Sequence, residues 1–148
     1  MKKILFSIIT IMIFGCITAQ VKYDSIGTFG ANGHPEWALV WINDSVGFID
    51  INGKEVVPPK YDSIGVFGTY GHPQWAAVRV DNKWGFIDNS GNEVVPPRYH
   101  RINTFGINGH PQWAAVRIND KWGFIDNSGN EVVPPKYHRI NTFGINGH

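Results

Sequence analysis

Cysteine is nearly absent: Cys16 is the only one in 148 residues. A single thiol closes no internal disulfide and assembles no thiolate metal site. Charge is sparse as well, with 17% Asp, Glu, Lys and Arg, below the usual share of about a quarter. No Lys/Arg run follows residue 3, and without Lys2 and Lys3 the chain carries 11 basic residues against 12 acidic. Binding phosphates along a nucleic acid needs a concentrated basic face, so no nucleic-acid partner is expected. Helical spacing of apolar residues is missing after residue 20, and the one long apolar run, Ile4 to Phe14, is short for a bilayer span. No transmembrane span is therefore expected in a mature chain.

Aromatics, by contrast, reach 14%, and there are 17 Gly and 9 Pro. That profile suits short strands separated by many turns, and it supplies enough apolar surface to drive collapse. Residues 1–20, MKKILFSIITIMIFGCITAQ, read as a secretory leader: a basic start, the apolar run, then small residues. Cleavage after Ala19 gives a signal peptide over 1–19 and a mature chain over 20–148. The competing route treats Ile13-Phe14-Gly15-Cys16 as a lipobox-like stretch, with Cys16 as the lipidated residue and the protein lipid-anchored. In either case an exported location is expected: periplasm, cell surface or secreted.

Shifting the chain by 38 residues aligns Tyr23, Tyr61, Tyr99 and Tyr137, then Gly47, Gly85 and Gly123, then Pro58-Pro59, Pro96-Pro97 and Pro134-Pro135. Units 22–59, 60–97 and 98–135 follow, with a partial unit at 136–148. The second and third units are identical at 28 of 38 positions, whereas the first carries Trp41 and Val46 where the others carry Arg and Trp. A fixed period of this size is the mark of a repeat architecture. The partial unit is expected to leave an open end through which chains self-associate, or to mark a fragment of a longer reading frame.

Within the second unit, Ala76, Val78 and Val80 alternate with Trp75, Ala77 and Arg79, a strand with two distinct faces. Asp81-Asn82 is a turn signal, Lys83 to Asp88 the returning strand, Asn89-Ser90-Gly91-Asn92 a second turn, and Glu93-Val94-Val95 a third, short strand. Pro96-Pro97, lacking amide donors, is expected to end the meander. The loop Phe105 to Gln112 reads as a connector. The expected unit is a three-stranded meander.

Trp84-Gly85-Phe86-Ile87-Asp88, then Gly91, then Val94-Val95-Pro96-Pro97 and Tyr99 resemble the WG repeat, also called KWG, of bacterial exported proteins. The resemblance recurs in register over nearly everything after residue 20, although Val46 stands in the first unit where the motif has Trp. It implies β-hairpin repeats and frequent export, with no agreed enzymatic activity and no established ligand; no cofactor is expected. The expected fold is all-β: tandem 38-residue repeats of short antiparallel strands stacked as a β-hairpin solenoid, with a partial β-propeller as the alternative.

Several residue sets invite chemistry. His34, His72, His110 and His148 recur once per unit, but the one carboxylate beside them, Glu36, becomes Gln74 and Gln112 in the next units, so no metal site is expected. The oxygen-rich stretch Asp88 to Glu93 fits no EF-hand spacing and is what a hairpin turn needs. Ser25, Ser63, Ser90 and Ser128 lie in turns without a nucleophile elbow. The pairs Asp50 and Glu55, Asp88 and Glu93, and Asp126 and Glu131 are printed in every unit, unlike an active site assembled once from non-equivalent segments. An enzyme is not expected.

The aromatic row is the candidate binding feature. Trp37, Trp75 and Trp113 sit opposite the Ala/Val face, so stacked units align them, with Arg79 and Arg117 on the same face four residues further on. The competing reading puts those Trp, together with Trp84, Trp122, Phe86 and Phe124, into the core between units. The expected function is a non-enzymatic exported module that binds polysaccharide or protein, or scaffolds, at the cell envelope. A structural envelope protein without a discrete ligand is the alternative.

Overall fold

The computed structural model describes residues 22–142, and the expectations about the leader, Cys16 and His148 lie outside them. These residues form twelve strands in three antiparallel sheets of four, each in sequence order. The first sheet holds β1 Ser25–Ile26, β2 Trp37–Ile42, β3 Ser45–Asp50 and β4 Glu55–Tyr61. The second holds β5 Ser63–Ile64, β6 Trp75–Val80, β7 Lys83–Asp88 and β8 Glu93–Tyr99. The third holds β9 Arg101–Ile102, β10 Trp113–Ile118, β11 Lys121–Asp126 and β12 Glu131–Tyr137. The fold is all-β, as expected, with the sheets stacked in tandem and no closed barrel, the arrangement of a β-hairpin solenoid.

Two details correct the three-stranded meander. A two-residue strand precedes each loop and pairs back on the long hairpin, as Ser63 and Ile64 do with Arg79 and Val78. The Pro-Pro pair also does not end the sheet. Strand β4 runs through Pro58-Pro59 to Tyr61, because it is the sheet's edge, where a missing amide donor costs no ladder bond.

Between the pairs Val46–Tyr61 and Phe48–Val57, β3 advances two residues while β4 advances four, so the prolines bow across Gly47. A Cβ on Gly47 would stand 2.3 Å from the Val57 carbonyl oxygen, and one on Gly85 or Gly123 would stand 2.2 Å from the matching oxygen of Val95 or Val133. The glycine of the repeated motif is therefore required by close approach of the edge strand. The central hairpins turn on two residues with positive φ, Asn43 and Asp44 in the first sheet and Asp81 and Asn82 in the second, which matches their twist to that of the strands.

Each sheet has two unlike faces. The forward face of the first, with Trp37, Phe48, Val57 and Tyr61, packs on the backward face of the second, with Ile64, Ala76, Val78 and Ile87. The next junction repeats this, Trp75, Phe86, Val95 and Tyr99 meeting Ile102, Ala114, Val116 and Ile125. Burying each such Val, Ile or Phe is worth about 2 kcal/mol, so the junctions dominate the stability of an array whose single sheets have no second layer.

Polar contacts fix the same junctions. The Tyr61 hydroxyl donates to Glu93 Oε1 at 2.6 Å, and Lys60 Nζ reaches the same oxygen at 2.7 Å. Tyr99 and Arg98 contact Glu131 in the same way at 2.7 and 2.8 Å. Lys22 and Tyr23, ahead of the first sheet, contact Glu55 as the end of a preceding unit would. Loops are tied too, Phe67 N donating to Asn32 O and Phe105 N to Tyr70 O, both at 2.9 Å.

Candidate functional site

The recurring acidic residues have structural partners. Asp88 Oδ1 accepts from Ser90 N and Asn92 N, each at 2.9 Å, closing the second turn, and Asp50 and Asp126 do the same in their units. Burial pushes the Asp88 carboxyl up, but the amides of Asn92, Ser90 and Gly91 outweigh it and hold the group below its ordinary range. Glu93 is likewise held low, chiefly by Lys60 and then by the Tyr61 hydroxyl.

The recurring His also packs. His34 stacks on Trp37 and His72 on Trp75, with ring centroids 3.9 and 4.1 Å apart. Burial lowers the pKa of His72, favouring the neutral imidazole against the indole. Among the described residues no three His, Cys, Asp or Glu side chains come together as a metal site.

Trp37 and Trp75 do not form a surface row, which corrects the expectation for them. Both are 6% exposed, and each meets a Phe of the following unit edge-on, Phe67 at 6.0 Å and Phe105 at 5.7 Å. The face opposite Ala76 and Val78 is the face on which the next sheet docks, so its centre is dry. Trp113, in the same position of the third sheet, is half-buried against His110 and Phe124.

The outer end of that forward face is different. Strand register sets four residues side by side in each sheet: Ser25, Trp41, Val46 and Tyr61 in the first. In the second they are Ser63, Arg79, Trp84 and Tyr99, and in the third Arg101, Arg117, Trp122 and Tyr137. Arg79 and Arg117, the other two expected site residues, lie over the rings of Trp84 and Trp122, each with its guanidinium carbon 5.6 Å from the ring centroid. All four side chains are half-buried.

Here the junctions open to solvent. A groove of about 490 Å³ between the second and third sheets is lined by Trp84, Tyr70, Arg101, Asn103 and Thr104. A second, of about 340 Å³, is lined by Trp122, Asn108, Arg101, Asn103, His138 and Arg139. The two are equivalent by the 38-residue shift, Trp84 answering to Trp122 and Tyr70 to Asn108, and they adjoin, since Arg101 and Asn103 line both. The motif Trp is thus the aromatic of the surface, and the Trp one hairpin turn earlier is the aromatic of the core. Arginine at the far end of the strand is the sequence signal that this end of the face is wet.

A tandem stack of four-stranded antiparallel sheets, with motif glycines under a bowed edge strand and motif tryptophans in adjoining surface grooves, defines a β-repeat protein. The family described as "WG containing repeat" matches residues 47–84, 84–122 and 122–148, and the chain belongs to it. Its matches are framed from one motif Trp-Gly to the next and begin at Gly47, directly after the Val46 that replaces the first Trp. No curated protein and no solved structure matches the chain.

Proposed function

We propose that the chain is an exported, non-enzymatic binding module of the cell envelope, in which adjoining grooves present equivalent contacts to an extended ligand, polysaccharide or protein. The observation that carries this reading is the sharing of Arg101 and Asn103 between the two Trp-lined grooves, which makes them one continuous track. Equivalent weak contacts along one ligand combine by avidity. The engagement of the repeated Asp and Glu side chains in turns and junctions favours binding over catalysis, and the leader pattern of residues 1–20 favours export. Co-sedimentation of the purified chain with isolated cell walls and insoluble polysaccharides, for wild type and for Trp84→Ala with Trp122→Ala, tests it. Saturable sedimentation lost in the folded double variant is expected. If neither protein sediments and no protein partner is retained, the structural reading without a discrete ligand replaces it.

A further inference from the structure

The residue row across the third sheet places Arg101 on β9 directly opposite Arg117 on β10. Like charges paired across strands are destabilising unless something offsets them. Neither guanidinium takes part in the three ion pairs among the described residues, which use Lys22, Lys60 and Arg98. Both instead lie over the same indole, Arg101 at 5.9 Å and Arg117 at 5.6 Å from the Trp122 centroid. The buried Arg117 Nε finds no hydrogen-bond acceptor, and Arg79 Nε repeats this in the second sheet. A guanidinium held over an aromatic face by cation–π attraction keeps its terminal N–H groups for an acceptor.

The surroundings accumulate positive charge in the same direction. Tyr61 is followed by Asp62, Ser63, Ile64 and Gly65, whereas Tyr99 is followed by His100, Arg101, Ile102 and Asn103, and Tyr137 by His138, Arg139, Ile140 and Asn141. No carboxylate is among the described residues lining either groove.

We infer that Arg101, held over Trp122 beside Arg117, forms an anion site, and that the continuous track it lines takes an acidic polysaccharide. This rests on the reading of the array as a binding module and names its ligand class. A polymer is favoured over a lone anion because Arg139 stands in the second groove where Arg101 stands in the first, so successive acidic residues of one strand meet equivalent positions. A glycan is favoured because Trp84 and Trp122 flank the charges with ring surface suited to sugar faces, while the chain as a whole lacks the basic excess that holds nucleic acid.

Binding of the purified chain to polygalacturonate, to a phosphate-bearing wall polymer and to neutral dextran tests this, at low and at raised salt. Wild type is expected to bind one or both acidic polymers, the pair distinguishing carboxylate from phosphodiester, with affinity falling steeply as salt rises. Arg101→Gln with Arg139→Gln should weaken binding about tenfold or more. Lys54→Gln, which removes a charge on an exposed turn away from the grooves, should leave it unchanged. Arg117→Lys keeps the charge but loses the guanidinium that lies over Trp122 beside Arg101, and should weaken binding while circular dichroism shows the fold intact. Unaltered affinity in the double arginine variant overturns the site. Salt-insensitive binding to dextran, dependent on Trp84 and Trp122, overturns the acidic class and keeps the module. Preference for DNA or for anionic vesicles overturns the glycan. Binding to none of the three polymers also overturns the inference, and cell-wall sedimentation then decides the module separately.

Discussion

The Tyr61 hydroxyl donates to Glu93, 32 residues further along the chain, and closes the first junction from its rim. Tyr61 is 1% exposed and Tyr137, at the same place in the third sheet, 47% exposed. Tyr61→Phe removes one of the two hydrogen bonds to Glu93 Oε1, Lys60 keeping the other, and should lower the unfolding free energy by about 1 kcal/mol. Tyr137→Phe should change it by only a few tenths, roughly the surface value. Urea denaturation of the two variants checks the contrast.

The same contacts set the pH range of stability. Glu93 is held below its ordinary pKa in the folded chain by Lys60 and Tyr61, so its contribution is present above the unfolded value and disappears as pH falls through the folded one. Burial and the Glu131 hydrogen bond push Tyr99 the other way, up to about 12. Its contribution is complete below the unfolded value of 10.0 and is lost as pH rises from there towards 12. Tyr99→Phe, which has no proton to lose, should flatten the alkaline limb of a plot of urea midpoint against pH.

Three glycines should respond in a graded way to alanine. At Gly53, φ is +79° and nothing lies within 4 Å, so only the left-handed backbone resists, at about 1 kcal/mol. Gly91 has the same backbone form, but its Cβ would meet the Val56 carbonyl oxygen of the preceding sheet at 2.7 Å, which should raise the cost to roughly 2–3 kcal/mol. Gly85, beneath the bowed edge strand, should cost about 4 kcal/mol or leave the chain unfolded. Thermal melts of the three variants give the order.

Trp75→Ala empties a dry junction and should cost about 3–5 kcal/mol. Trp84→Ala removes a half-buried ring at a wet rim and should cost roughly 1 kcal/mol. A reversal of that order in chemical denaturation would sink the assignment of one indole to the core and the other to the groove.

Trp41 and Val46 face each other across the first hairpin where Arg79 and Trp84 do in the second. Val46 is 4% exposed, so Val46→Trp alone overpacks against Trp41 and should cost about 1–3 kcal/mol. Adding Trp41→Arg should recover most of the loss, a coupling of about 1 kcal/mol or more in a double-mutant cycle.

The long hairpin and both turns are legible in the sequence because each depends on nearest neighbours: alternation from Trp75 to Val80, Asp81-Asn82 at the turn, Gly91 at positive φ. The roles of the tryptophans are not legible from alternation alone. Period two puts Trp75, Ala77 and Arg79 on one face, but both faces of a stacked sheet are covered, so the face label does not separate core from surface. That separation runs along the strand, from Trp75 at the dry end to Arg79 at the wet end, and depends on where the next unit docks. The fourth strand of each sheet escapes notice for a similar reason: Ser63-Ile64 is too short to show a period and exists because Arg79 and Val78 offer it a partner.

The two faces of every sheet are chemically unlike, bulky rings with a tyrosine on one and small aliphatic side chains on the other, and this gives the array a direction. Two copies meeting by a junction of the interior kind would do so head to tail, since ring face on ring face reproduces none of the interior packing. Such a contact has no twofold axis and does not close on a pair. Association built this way lengthens the stack and leaves an unlike surface at each tip, so it adds repeats to a fibre rather than making a dimer.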